Sequence, residues 1–152
     1  MTLEDFKTLQ EMATEELSLP DTFEGMEKKN RLQPTVVQKW TKLCSRQKYI
    51  VNNLNIELLE MQGNLEKCYK FPKSTKDLQQ QYGISINEYW DKGKEIEAQI
   101  NTIPCYIAKV KEVNTQKYIL DYIERTLDDI HDMAFSIKNY LEFKKMLTTS
   151  YT

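Results

Sequence analysis

At 152 residues the chain has the length of one ordinary domain, and its 4 Gly and 4 Pro are too few turn residues for a many-stranded sandwich or barrel. Hydrophobic residues make up 40% and the charges nearly cancel to a formal −2, which argues against a disordered chain and against one drawn to polyanions by bulk charge. No run approaches the roughly 18 to 20 apolar residues of a membrane span, and the acidic opening lacks the layout of a secretory signal, so a cytosolic protein is expected.

The first predicted element follows Thr2, a capping hydroxyl with Asp5 three residues on, and Leu3, Phe6, Leu9 and Met12 or Ala13 recur at helical spacing. This predicts a short acidic amphipathic helix. Residues Ser18 to Asn30 hold Pro20 and Gly25 among polar side chains and read as a connector, closing an acidic N-terminal region over 1–30. Charge is segregated along the chain: Met1 to Glu27 carries eight acids against Lys7 alone. Lys28 to Lys48 then carries Lys28, Lys29, Arg31, Lys39, Lys42, Arg46 and Lys48 and no acid.

Pro34 stands where helices commonly begin, and Val36 or Val37, Trp40, Leu43 or Cys44, Ile50 or Val51, Leu54, Leu58, Met61, Leu65 and Cys68 follow in steps of three, four or seven. One long basic helix over 34–70 is predicted. The weak helix formers Asn52, Asn53 and Asn55 mark a place where it can bend. Phe71-Pro72 ends it, because proline has no N–H to continue the ladder and restricts the residue before it. A second acid-free run, Lys67 to Lys76, adds Lys67, Lys70, Lys73 and Lys76.

A helical turn from Thr75 to Tyr82 is expected next, with Gly83 closing it. Ser85-Ile86-Asn87-Glu88 has the hydroxyl and acid of a capping box, which predicts a middle helix over 85–101. The last segment, 104–147, is the most regular: Ile107, Val110, Ile119, Tyr122 or Ile123, Leu127, Ile130, Ala134, Ile137 and Leu141 run near the 3.5-residue period of helices packed along their lengths. Roughly 40 helical residues extend about 60 Å, whereas a compact chain of this size has a radius of gyration of about 15 Å. The stripe is therefore expected to seek a partner chain, which makes Ile119, Ile123, Leu127, Ile130, Ala134, Ile137 and Leu141 the candidate oligomerisation residues.

Chemistry is sparse. The single histidine, His131, has no second histidine at a metal-ligand spacing, and Asp128, Asp129 and Asp132 read as a solvated face. No glycine loop of the phosphate-cradling type is present, and Cys44, Cys68 and Cys105 fit neither a disulfide framework nor a zinc site. No enzyme, cofactor or metal is expected. The basic runs remain, either as a solvated face paired with the acidic N-terminus or as a polyanion site. Cations release counterions from phosphates and aromatic rings stack on unpaired bases, and here Trp40 and Tyr49 interleave with one run, Tyr69 and Phe71 with the other. Trp40 also lies on the apolar stripe and is read as core. The candidate DNA contacts are Lys39, Lys42, Arg46, Lys48, Lys67, Lys70, Lys73 and Lys76.

At the C-terminus, Tyr118-Ile119-Leu120-Asp121-Tyr122-Ile123-Glu124, then Ala134-Phe135-Ser136-Ile137-Lys138-Asn139 and Glu142-Phe143-Lys144-Lys145, resemble the end of the UvsY family, the recombination mediators of T-even and related cyanobacterial phages. Leu3-Glu4-Asp5-Phe6, Lys39-Trp40 and Lys67-Cys68-Tyr69 extend the resemblance over nearly the whole chain. It implies an all-α, non-enzymatic protein of the infected host's cytoplasm that forms a hexameric or heptameric ring, its C-terminal segment driving assembly. It also implies binding of single-stranded DNA, with a UvsX-type recombinase and the phage single-stranded DNA-binding protein as partners in recombination and the repair and replication that use it. One departure stands out: the family's lysine and arginine, two residues apart near the end of the first long helix, fall at about Gln62-Gly63-Asn64-Leu65, which carries no positive charge. A coiled-coil scaffold, or a replisome adaptor docking through its acidic N-terminus, would use the same helices without binding DNA.

Overall fold

A computed structural model describes residues 1–151, and every regular element among them is a helix. They are α1 (Leu3–Leu17), α2 (Phe23–Lys70), α3 (Lys76–Gln81), α4 (Gly93–Ile100) and α5 (Pro104–Ser150). The chain folds as two compact units, Met1–Lys48 with Tyr118–Thr152 and Tyr49–Lys117, so α2 and α5 each contribute a segment to both.

The capping box forms at α1: the Asp5 amide donates to Thr2 Oγ1 at 3.1 Å and the Thr2 amide donates to Asp5 Oδ2 at 2.9 Å. Leu9 and Ala13, four apart, are the buried face of this helix. They pack with Trp40 and Cys44 of α2 and with Ile119, Ile123 and Ile130 of α5, while Phe6 meets Tyr118 and Tyr122 edge-on at 5.9 and 5.2 Å.

α2 begins eleven residues before Pro34. Its first turn is capped by Thr22, whose hydroxyl accepts from the Gly25 amide at 3.0 Å, and a Cβ on Gly25 would come within 2.7 Å of Pro20 Cβ. The connector is thus only the short stretch 18–22, and Pro34 sits inside the helix on its exposed side. An internal proline costs a backbone hydrogen bond and a steric clash, about 3 kcal/mol, and packing on both sides of it outweighs that cost. Met26 packs on Met133, Ile137 and Leu141, while Val36 and Val37 pack against the Trp40 cluster.

This early start also answers the stripe of α5. Ile119, Ile123, Ile130, Ile137 and Leu141 are buried and Leu127 and Ala134 half-buried, all within one chain. Leu9 and Ala13 of α1 with Trp40 and Cys44 of α2 cover Ile119, Ile123 and Ile130, and Leu17 and Met26 close over Ile137 and Leu141 at the far end.

In the second unit Leu65 and Tyr69 of α2 pack with Ile96, Ile100 and Ile103, and Ile84, Ile86 and Trp90 close the cluster. α3 lies where the helical turn is expected, but the middle helix starts at Gly93 and not at Ser85. The capping box over Ser85–Glu88 does not form. Ile84 and Ile86 alternate with polar neighbours, which suits an extended segment with both isoleucines on the core side, and the Ile86 amide already donates to Gln79 Oε1 at 3.0 Å. Buried Gln79 also donates to the Pro72 carbonyl at 2.8 Å, tying together the segments before and after α3. Gly83 takes φ +66°, the left-handed turn that ends α3.

Candidate nucleic-acid interface

The four cations on the first half of α2 have different surroundings. Lys39 is half-buried, its Nζ 2.5 Å from Glu16 Oε1, and the other oxygen of that carboxylate accepts from the indole of Trp40. Trp40 itself is fully buried, which assigns it to the core and removes it as a stacking surface. Lys48 pairs with Glu124 at 2.9 Å, and that hydrogen bond raises its pKa above the ordinary lysine value. Lys42 and Arg46 are exposed on the rim of a groove of about 490 Å³ whose floor includes Met12 and Leu43. Arg46 also adds the smallest of several influences that lower the pKa of Asp5, the largest being the hydrogen bond from the Thr2 backbone. Of this set, Lys42 and Arg46 are exposed and form no ion pair among the described residues.

The second set lies in the other unit. Lys67 and Lys70 occupy the last turn of α2, where cations complement the negative end of the helix dipole, Lys73 sits in the following turn, and Lys76 opens α3. All four are exposed. Tyr69 between them is core: it is buried, stands edge-on to Trp90 at 6.1 Å, and accepts from the Trp90 amide at 3.2 Å through its carbonyl. Burial pushes its phenol pKa up, as it does for the neighbouring Cys68 thiol. Phe71 is exposed, as is Tyr49, so two of the four interleaved aromatics offer a face to solvent.

In the uncharged stretch from Gln62 to Leu65, the last two residues contribute to the core of the second unit. Asn64 donates to the Tyr82 hydroxyl at 3.1 Å, Leu65 is fully buried, and Gly63 faces open space. His131, Asp128, Asp129 and Asp132 are all exposed, and no three metal-ligating side chains gather among the described residues. No helix among them is long and apolar enough to cross a membrane.

Two features escaped the sequence reading. Glu16 is one: an acid on an acidic helix carries no local sign that it will cap a buried indole. The other is a cationic and aromatic cleft where the start of α2 meets the end of α5. It brings Arg31 near Lys145, and Phe23 near Tyr140 and Lys144. The basic run from Lys28 and the Lys144-Lys145 pair were visible separately, but only with α2 starting at Phe23 do they come together.

Neither a protein-family model nor a curated protein matches the sequence. A solved structure does share the backbone path: the crystal structure of the bacteriophage T4 recombination mediator protein UvsY, at a TM-score of 0.76 and 16% identity, over 97% of this chain and 98% of that one. The chain therefore has a UvsY-like, all-α fold.

Proposed function

We propose that this protein is a recombination mediator that binds single-stranded DNA as a homo-oligomeric ring and promotes loading of a UvsX-type recombinase onto DNA coated by single-stranded DNA-binding protein. The observation that carries this reading is the likeness to UvsY over nearly the full length of both chains. The exposed cations Lys42 and Arg46 on one unit, and Lys67, Lys70, Lys73 and Lys76 on the other, support it on physical grounds. Each set is a shallow cationic surface and not a deep pocket, and repeating it around a hexameric or heptameric ring lets weak contacts act together through effective concentration. A strand bent over the ring holds its coating protein less well and suits the recombinase better, through differential affinity for the two states. No chemical step is needed, and the site of action is the cytoplasm of the infected bacterial host.

Assembly is assigned to α5. Ile119, Ile123, Leu127, Ile130, Ala134, Ile137 and Leu141 hold the helix against α1 and α2, and the exposed Phe135, Phe143 and Met146 on its outer side provide apolar contact for a neighbouring copy. The test uses fluorescence anisotropy with a labelled single-stranded oligonucleotide across a salt series, alongside light scattering. Lys42→Glu with Arg46→Glu is expected to weaken binding and flatten its salt dependence while the mass of the assembly is unchanged. A well-folded wild-type protein that stays monomeric and ignores the strand at low salt would overturn the reading.

A further inference from the structure

The cleft between the start of α2 and the end of α5 has its own charge and its own rings. Two adjoining hollows of about 460 and 270 Å³ share Glu27 and Lys145 in their walls. Arg31, Lys144 and Lys145 are exposed and form no ion pair among the described residues, so three cations face one lining carboxylate, Glu27. Phe23 is 42% exposed and Tyr140 38%, and both line the larger hollow. The Lys144 ammonium lies 5.7 Å from the centroid of the Tyr140 ring, where it is attracted to the ring face.

We propose that this cleft is a second seat for single-stranded DNA, with Arg31, Lys144 and Lys145 holding phosphates and Phe23 and Tyr140 stacking on bases. The inference rests on the DNA-binding reading above and places a contact apart from the groove of Lys42 and Arg46. Its chemistry distinguishes the ligand. An acidic peptide would engage the cations alone and leave two half-open aromatic rings without a purpose. A duplex keeps its base faces stacked inside. A single strand offers a charge and a flat apolar face at every nucleotide, the combination that cations set beside open rings accept. The exposed Phe143 and Met146 lie on another side of α5, so a copy docked there need not cover the cleft.

The test uses the full chain carrying Arg31→Glu, Lys144→Glu and Lys145→Glu together, titrated with a fluorescein-labelled thymidine oligonucleotide across a salt series. Losing three phosphate contacts is expected to lower the affinity at least about tenfold in low salt, and the slope of log affinity against log salt by about 2. Unchanged affinity and slope would overturn the proposal, and if Lys42→Glu with Arg46→Glu still weakened binding, the DNA-binding reading itself would survive. A changed assembly mass with unchanged DNA binding would make the cleft a contact between copies and overturn it equally. Photocrosslinking of the unsubstituted protein to a 5-iododeoxyuridine oligonucleotide decides the matter even when the triple variant fails to fold. Adducts on the peptides holding Phe23 or Tyr140 support the cleft, and adducts confined to other peptides, or none, overturn it.

Discussion

Asp5 and Glu16 are both acids of α1, yet they do different work. Asp5 closes the capping box, and hydrogen bonding from Thr2 holds its carboxyl below the ordinary carboxylate range. A carboxyl depressed in the folded state contributes stability that is present above its unfolded value and is lost as pH falls through its folded value. Asp5→Asn is therefore expected to lower stability at neutral pH and to lose that deficit as the pH falls below the ordinary carboxylate range, read by denaturant unfolding at several pH values. Glu16 accepts from a buried indole and holds Lys39. Truncating it leaves the Trp40 donor without its acceptor, so Glu16→Ala should cost about 1 to 3 kcal/mol in the same assay, and an unchanged midpoint would contradict the role assigned to it.

At the scale of elements, α2 has the largest gap between local propensity and observed structure. Its proline sits in the interior of the helix, exposed, with helix continuing on both sides. Restoring the N–H and removing the ring should strengthen the helix, so Pro34→Ala is expected to raise stability by up to about 3 kcal/mol, measured as an increase in Tm. A fall in Tm would mean that the proline ring makes a contact more valuable than the hydrogen bond it removes. The segment over 84–92 shows the opposite balance. A sequence with the local signature of a helix start is held extended because Gln79 and the core around Leu65 claim its amide and its isoleucines first. Element existence was legible in the apolar periods of α1, α2 and α5. Two starts were not, since a capping hydroxyl before a helix and one inside a loop look alike until tertiary partners choose between them.

For the whole molecule, the buried stripe of α5 and the exposed apolar side of the same helix make separable predictions. Ile130 is fully buried, so Ile130→Asp would bury an unpaired charge and should unfold the protein, seen as lost helical circular dichroism. Phe143→Asp with Met146→Asp places charge on exposed positions and should leave the fold intact while breaking the proposed ring into smaller species, read by light scattering. If the second pair left the mass unchanged, the assembly face would have to lie elsewhere. The basic surface proposed to bind DNA divides in the same way between what pattern and what structure reveal. The cationic runs were visible as charge segregation, but Lys39 and Lys48 turn out to be engaged by Glu16 and Glu124, leaving Lys42 and Arg46 as the open pair.

The amino-acid order alone determined the helical class, the capped acidic helix at the start, the heptad-like stripes of the two long helices and the positions of the basic runs. Each of these is local, set by hydrogen-bonding side chains within four residues or by a repeat that every turn renews. Only the tertiary structure decided that α2 continues through Pro34, that the terminal stripe is covered by its own chain, that Trp40 and Tyr69 are core, and that Arg31 meets Lys145. Those outcomes depend on which distant residue reaches a given face first, and a one-dimensional period specifies that a face must be buried without naming what buries it.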